Sequence, residues 1–130
     1  MTTPIARPLA VAFDCHDPAR LLLFWQQLVG GSQAPEPHED DFLVLEDVPV
    51  FGYLGFQKVP EGKVVKNRVH VDLDVDDIDV AVAASTAIGA TALGGVVEEP
   101  TNWFQVMRDP EGNEFCFILR KSRLDSQPNT

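Results

Sequence analysis

The sequence predicts an α+β fold: two paired βαβββ modules with mixed, mostly antiparallel sheets. Three observations predict it. Strand-like and helix-like stretches recur in one order, strand, helix and three strands, and then repeat. The two halves align at an offset of 60 residues, Leu9-Ala10-Val11-Ala12-Phe13-Asp14 against Val69-His70-Val71-Asp72-Leu73-Asp74. Alternation along the strands gives the sheets one greasy side and one mixed-polar side.

Each element has its own signal. Leu9 to Cys15 is a short apolar strand. Asp17-Pro18 opens a helix, since Asp accepts from free amide groups and Pro is tolerated in the first turn. Leu21, Phe24, Trp25 and Leu28 share one helical face and read as core, and Gly30-Gly31 closes the helix. Ala34 to Asp41 is a Pro- and acid-rich loop, with the cluster from Glu36 to Asp41 and His38 read as solvated. Phe42 to Leu45 and Tyr53 to Val59 are strands, and Pro60-Glu61-Gly62-Lys63 is a turn. The second half follows with a strand from Arg68 to Val75. A helix capped by Asp76 or Asp77 carries Ile78, Ala81, Val82, Ser85 and Ile88 inward and ends at Gly89. Strands near Thr91 to Val97, Trp103 to Arg108 and Glu114 to Leu119 complete it, the last two joined by Asp109-Pro110-Glu111-Gly112-Asn113. One domain spans 1–130, with modules at about 9–59 and 68–119 and a polar, flexible tail at 120–130.

Composition narrows the function classes. The chain has 130 residues, 45% hydrophobic and 23% charged, enough for one buried core. Its net charge of −10 repels nucleic-acid phosphate and anionic lipid, so neither is an expected partner. No apolar run reaches the length of a membrane span, and Met1 to Ala10 lacks the pattern of a signal peptide, so a cytoplasmic location is expected. Cys15 and Cys116 sit in apolar strands and read as reduced, buried thiols.

The polar side of the sheets holds the candidate residues. His70, Asp72 and Asp74 alternate with Val69, Val71, Leu73 and Val75, the face that should pack on the helices. Asp14 faces away from Phe13 and Cys15, and Glu114, Cys116 and Ile118 face away from Phe115 and Phe117. His70 can hydrogen-bond a ligand or move a proton near neutral pH, which makes it the candidate catalytic residue, against an inherited histidine held by Asp72. Trp103 and Phe104 point to opposite sides, so one can line a cleft while the other packs. The expected ligand-binding set is Asp14, Gln57, His70, Asp72, Trp103 and Cys116.

Asn67 to Leu73, reading NRVHVDL, Asp109 to Cys116, reading DPEGNEFC, and the Asp14 to Trp25 segment with its Asp-Pro helix start and Phe-Trp pair carry a family resemblance. Together they resemble the glyoxalase-like domains of the vicinal oxygen chelate (glyoxalase/bleomycin resistance protein/extradiol dioxygenase) superfamily. The resemblance covers about residues 9–119. It implies paired βαβββ modules whose sheets curl around a cleft, and a homodimer. In metal-dependent members such as glyoxalase I, it implies four ion-holding side chains from the first, fourth, fifth and last strands.

Carried onto this chain, those positions fall on Ala10, Gln57, His70 and Cys116. Ala10 has no donor atom, Gln57 offers a neutral carbonyl oxygen, His70 is a good ligand, and a thiol replaces the usual carboxylate at Cys116. A soft ion such as zinc could take Cys116 with His70, with Asp72 or Asp14 completing a set, in an arrangement the family does not display. The expectation is therefore no metal and no cofactor. The expected function is small-molecule binding, as in the bleomycin-resistance branch. The alternative is a metal-dependent lyase or isomerase, or a dioxygenase, and a weaker third is a metal-free enzyme with His70 as proton shuttle.

Overall fold

In the computed structural model, residues 3–35 and 41–122 are described. Residues 36–40, which hold most of the expected acidic loop with His38, and the tail from residue 123 lie outside them. The chain divides between Gly62 and Lys63 into two compact units, each with its own sheet.

The first unit runs β1 (Ala10–Cys15), α1 (Pro18–Val29), β2 (Ser32–Gln33), β3 (Phe42–Val48) and β4 (Gly52–Lys58), with strand order β1-β4-β3-β2. The second runs β5 (Val71–Asp74), α2 (Ile78–Ala87), β6 (Thr91–Glu98), β7 (Asn102–Arg108) and β8 (Glu114–Arg120), with order β5-β8-β7-β6. In each unit the first strand pairs parallel with the last and the remaining pairs are antiparallel. The topologies are the same and neither sheet closes into a barrel. This is the α+β, paired βαβββ architecture that the repeated pattern predicts. β2 has only two residues, too few for alternation to reveal.

Equivalent side chains start the two helices. Asp17 Oδ1 accepts the Arg20 N–H at 3.1 Å, and Asp77 Oδ1 accepts the Val80 N–H at 3.0 Å. Asp77, rather than Asp76, is therefore the second cap. α1 ends at Gly30, whose φ of 86° suits a residue without a Cβ and whose N–H donates to the Gln26 carbonyl at 2.9 Å. Asp17→Ala is expected to lower stability by about 1 kcal/mol, read as a lower thermal midpoint by circular dichroism. An unchanged midpoint would mean that the cap contributes nothing.

Each unit has its own core. In the first, Leu21, Leu22, Phe24 and Trp25 of α1 are buried, as are Leu45, Leu54 and Phe56 of the sheet. Phe13 stacks on Trp25 at 4.8 Å and on Phe56 at 5.7 Å, ring centre to ring centre. In the second, Val71, Ile78, Met107, Phe115 and Phe117 are buried, and Phe115 meets Phe117 edge-on at 5.4 Å.

Several boundaries differ from expectation, β3 running on to Val48 instead of ending at Leu45. The strand predicted from Arg68 begins only at Val71, and Val69, read as a core-facing residue, is 81% exposed. The segment before it is drawn off the ladder because Asn67 bonds Glu114 instead: its backbone N–H donates to Glu114 Oε2 at 2.9 Å and its side-chain amide to the Glu114 carbonyl at 3.0 Å. At the other end β8 continues through Arg120, whose guanidinium holds Asp74 at 3.1 Å. Asp74 is thus an ion-pair partner at the sheet's end.

The Asp109–Asn113 turn fixes where β8 begins. Asp109 is buried, and its Oδ1 accepts the backbone N–H groups of Glu111 and Asn113 at 2.9 Å each. Gly112 supplies the positive φ, 87°, that the turn requires. The sheet alternation set from Glu114 onward then places Glu114, Cys116 and Ile118 on the face opposite Phe115 and Phe117.

Candidate functional site

That face carries a cavity of about 280 Å³ within the second unit. Phe104 and Val106 of β7 and Cys116 and Ile118 of β8 form an apolar floor. They are two rows of cross-strand partners, Phe104 opposite Ile118 and Val106 opposite Cys116. Lys66, His70, Asp72 and Glu99 supply the polar rim, and Glu114 closes one side.

The rim is organised by short contacts. His70 Nδ1 lies 3.0 Å from Asp72 Oδ1, both side chains about half exposed. Asp72 is also the parallel-strand partner of Cys116. Cys116 is buried, and burial, then the nearby Asp72 carboxylate, pushes its thiol above its ordinary pKa, with Lys66 opposing. A thiol held protonated this way is a poor nucleophile in the free protein. Both cysteines are buried and unbridged.

Glu114 ties the rim to the sheet. Its carboxylate accepts from Lys63 Nζ at 2.8 Å and from the Asn67 N–H, and Lys63 also donates to the Val65 carbonyl at 2.6 Å. Burial pushes this carboxyl up, but the Lys63 hydrogen bond, the Asn67 N–H and the Lys63 charge outweigh it, so the pKa falls below the ordinary value. The chain from Lys63 to His70, which carries Lys66 and His70, is thereby anchored at both Lys63 and Asn67.

Of the expected site residues, His70, Asp72 and Cys116 come together in this cavity. Trp103 does not line it: Phe104 is the aromatic on the floor, because consecutive strand residues face opposite ways. Trp103 instead borders a separate depression beside Asp76, Asp77 and Asp79, with Lys121 Nζ 4.8 Å from its ring centre. Asp14 and Gln57 lie in the first unit as partners on β1 and β4. The Gln57 amide nitrogen donates to the Asp41 and Lys58 carbonyls at 3.1 and 3.3 Å, leaving its oxygen as the group it can offer. Among the rim and floor residues missed from sequence, Ile118 and Glu114 follow from alternation with Cys116. Lys66 and Glu99 are in segments where no periodicity operates.

The register corrects one position of the implied ion site. In the second unit His70 is followed two residues later by Asp72, which pairs with Cys116. In the first, Ala10 is followed by Ala12, which pairs with Gly55. The equivalent of Cys116 is therefore Gly55, and not Gln57. A Cβ at Gly55 would lie 3.0 Å from the Phe42 ring and 3.4 Å from the Ala12 Cβ, so an aromatic ring already fills the space a ligating side chain would use. Two of the four positions thus have no donor atom and a third has a thiol. These residues do not fit a hard divalent ion held by four side chains.

The fold and this cavity define an α+β protein of duplicated βαβββ units with a ligand-sized hollow on the sheet face. The chain belongs to the family described as Glyoxalase-like domain, whose profile matches residues 10–118. No curated protein matches it. Among solved structures it is similar to a glyoxalase/bleomycin resistance protein/dioxygenase family enzyme from Burkholderia phytofirmans PsJN, with TM-score 0.74 and 22% identity over 88% of this chain and 99% of that one. It is also similar to a glyoxylase/bleomycin resistance protein/dioxygenase domain from Frankia sp. EAN1pec (TM-score 0.66, 14% identity, 91% and 100% covered). A third is the fosfomycin resistance protein FosX from Mesorhizobium loti (TM-score 0.67, 11% identity, 95% and 99% covered). At these identities the likeness is one of fold. Among the described residues no helix is long and apolar enough to cross a membrane.

Proposed function

We propose that the protein binds a small molecule in the cavity of the second unit, without the four-donor ion of metal-dependent glyoxalases. One observation carries this reading: an apolar floor of Phe104, Val106, Cys116 and Ile118 lies beside ionisable groups, while the donor positions at Ala10 and Gly55 are bare. The floor buries the body of the ligand and the His70–Asp72 pair fixes its polar handle. Fold-level resemblance adds a homodimer, and two unbridged cysteines suit a cytoplasmic location.

The test is an NMR fragment screen on chelator-treated protein. Bound fragments are expected to shift Phe104, Val106, His70 and Ile118, and to do so equally with or without added magnesium or manganese. Fragment binding confined to the ion-loaded protein, accompanied by turnover of a hemithioacetal or a catechol, would replace this reading with the lyase, isomerase or dioxygenase one.

A further inference from the structure

The missing donors are hard ones, and the second unit keeps a set of another kind. His70, Asp72 and Cys116 each offer one ligand atom, and these atoms lie within 4.8 Å of one another. Tetrahedral zinc, with bonds of about 2.0–2.3 Å, holds its donors roughly 3.3–3.8 Å apart, so side-chain rotation of about an ångström closes the set. From these three residues we infer a site for a soft divalent ion, with zinc the best match, built entirely within the second unit.

The chemistry of each donor supports it. A thiolate and an imidazole select zinc-like ions over magnesium or manganese. His70 Nδ1 and Asp72 Oδ1 already face each other at 3.0 Å, so a single ion can be reached by both. The fourth position opens on the cavity lined by these residues, where a water or a ligand atom can enter. Asp72 is no part of the four-strand arrangement that the resemblance implies. The donor set therefore differs from it in residue type and in needing nothing from the first unit.

Binding exchanges a proton for the ion: the Cys116 S–H bond breaks, the proton goes to solvent and a sulfur–zinc bond forms. No oxidant or reductant is needed. The ion shares its cavity with the ligand proposed above, but its own spectrum reads it out in the absence of any organic ligand, so failure of one is distinguishable from failure of the other.

The experiment is titration of chelator-stripped, full-length protein with cobalt(II), followed by zinc. A single equivalent of cobalt is expected to give the intense visible bands of tetrahedral coordination and a near-ultraviolet thiolate-to-cobalt band, both abolished by zinc. Cys116→Ser loses the thiolate band and Cys15→Ser keeps it. His70 is largely exposed, so His70→Gln spares the fold and weakens cobalt binding at least tenfold. Asp72→Asn, which removes an anionic donor, weakens it at least tenfold. Folded wild-type protein without the thiolate band overturns the inference. So does a band that survives Cys116→Ser, or a cobalt affinity unchanged in His70→Gln.

Discussion

Glu114→Ala is expected to cost about 3 kcal/mol of stability, a substantial part of what holds a domain of this size together. Its carboxylate is 5% exposed and meets Lys63, which is 20% exposed. Removing it takes the carboxylate partner from the Lys63 ammonium, which keeps only the Val65 carbonyl, and the acceptor from the Asn67 N–H. The cost falls at the lower end of the range for broken buried pairs because Lys63 retains some water. Glu114→Gln keeps one acceptor and is expected to cost less, about 1–2 kcal/mol. Urea unfolding measures both. Equal stability of Glu114→Ala and the parent would show that Lys63 and Asn67 find other partners.

The same group makes stability depend on pH. The folded carboxyl has a lowered pKa, so the unfolded chain binds more protons in the acid range. Its contribution is complete above the unfolded value of about 4.3 and is lost as pH falls through the lowered folded value. The parent should therefore lose stability below about pH 4 more steeply than Glu114→Gln does. Hydrogen exchange in residues 63–70 should accelerate over the same interval, because Glu114 anchors that segment.

Gly55→Glu is the second large effect. It places a carboxylate where metal-dependent relatives would hold an ion, and the expected result is damage rather than repair. The new Cβ would sit 3.0 Å from Phe42, and overpacking of this kind costs about 1–3 kcal/mol before the buried charge is counted. Pairing it with Phe42→Ala should recover part of that loss, a coupling that a double-mutant cycle measures. Nickel should raise the melting temperature of Gly55→Glu by no more than it raises the parent's. A larger increment would mean that the first unit can still take part in holding an ion.

Much of this was legible in the sequence. The sixty-residue echo gave the duplicated topology, and Asp17 and Gly30 marked the limits of α1 because local chemistry suffices for caps. His70, Asp72 and Cys116 were legible as a group because strand alternation fixes faces without knowledge of distant contacts. The failures share one cause, a tertiary contact overriding a local pattern. Val69 alternates like a core residue, but the Asn67 bonds to Glu114 pull its segment away from the ladder. Gln57 looked like the fourth-strand donor because register between sequence-distant strands cannot be read from one strand. Only the Ala12–Gly55 pairing shows that Gly55 occupies that place. Trp103 and Phe104 were correctly set on opposite faces, but alternation does not say which face is hollow.

The anchored stretch from Lys63 to His70 is also the thread by which β4 reaches β5. A gene for the second half alone would thus have to start at Lys63 to keep both anchors of that stretch, whereas one started at His70 would lose Lys66 from the cavity's rim. Val64 and Val65 stand exposed in the middle of that thread, at 92% and 76%. A protease nick between them would part the Lys63 anchor from the Asn67 anchor while leaving all the strands whole.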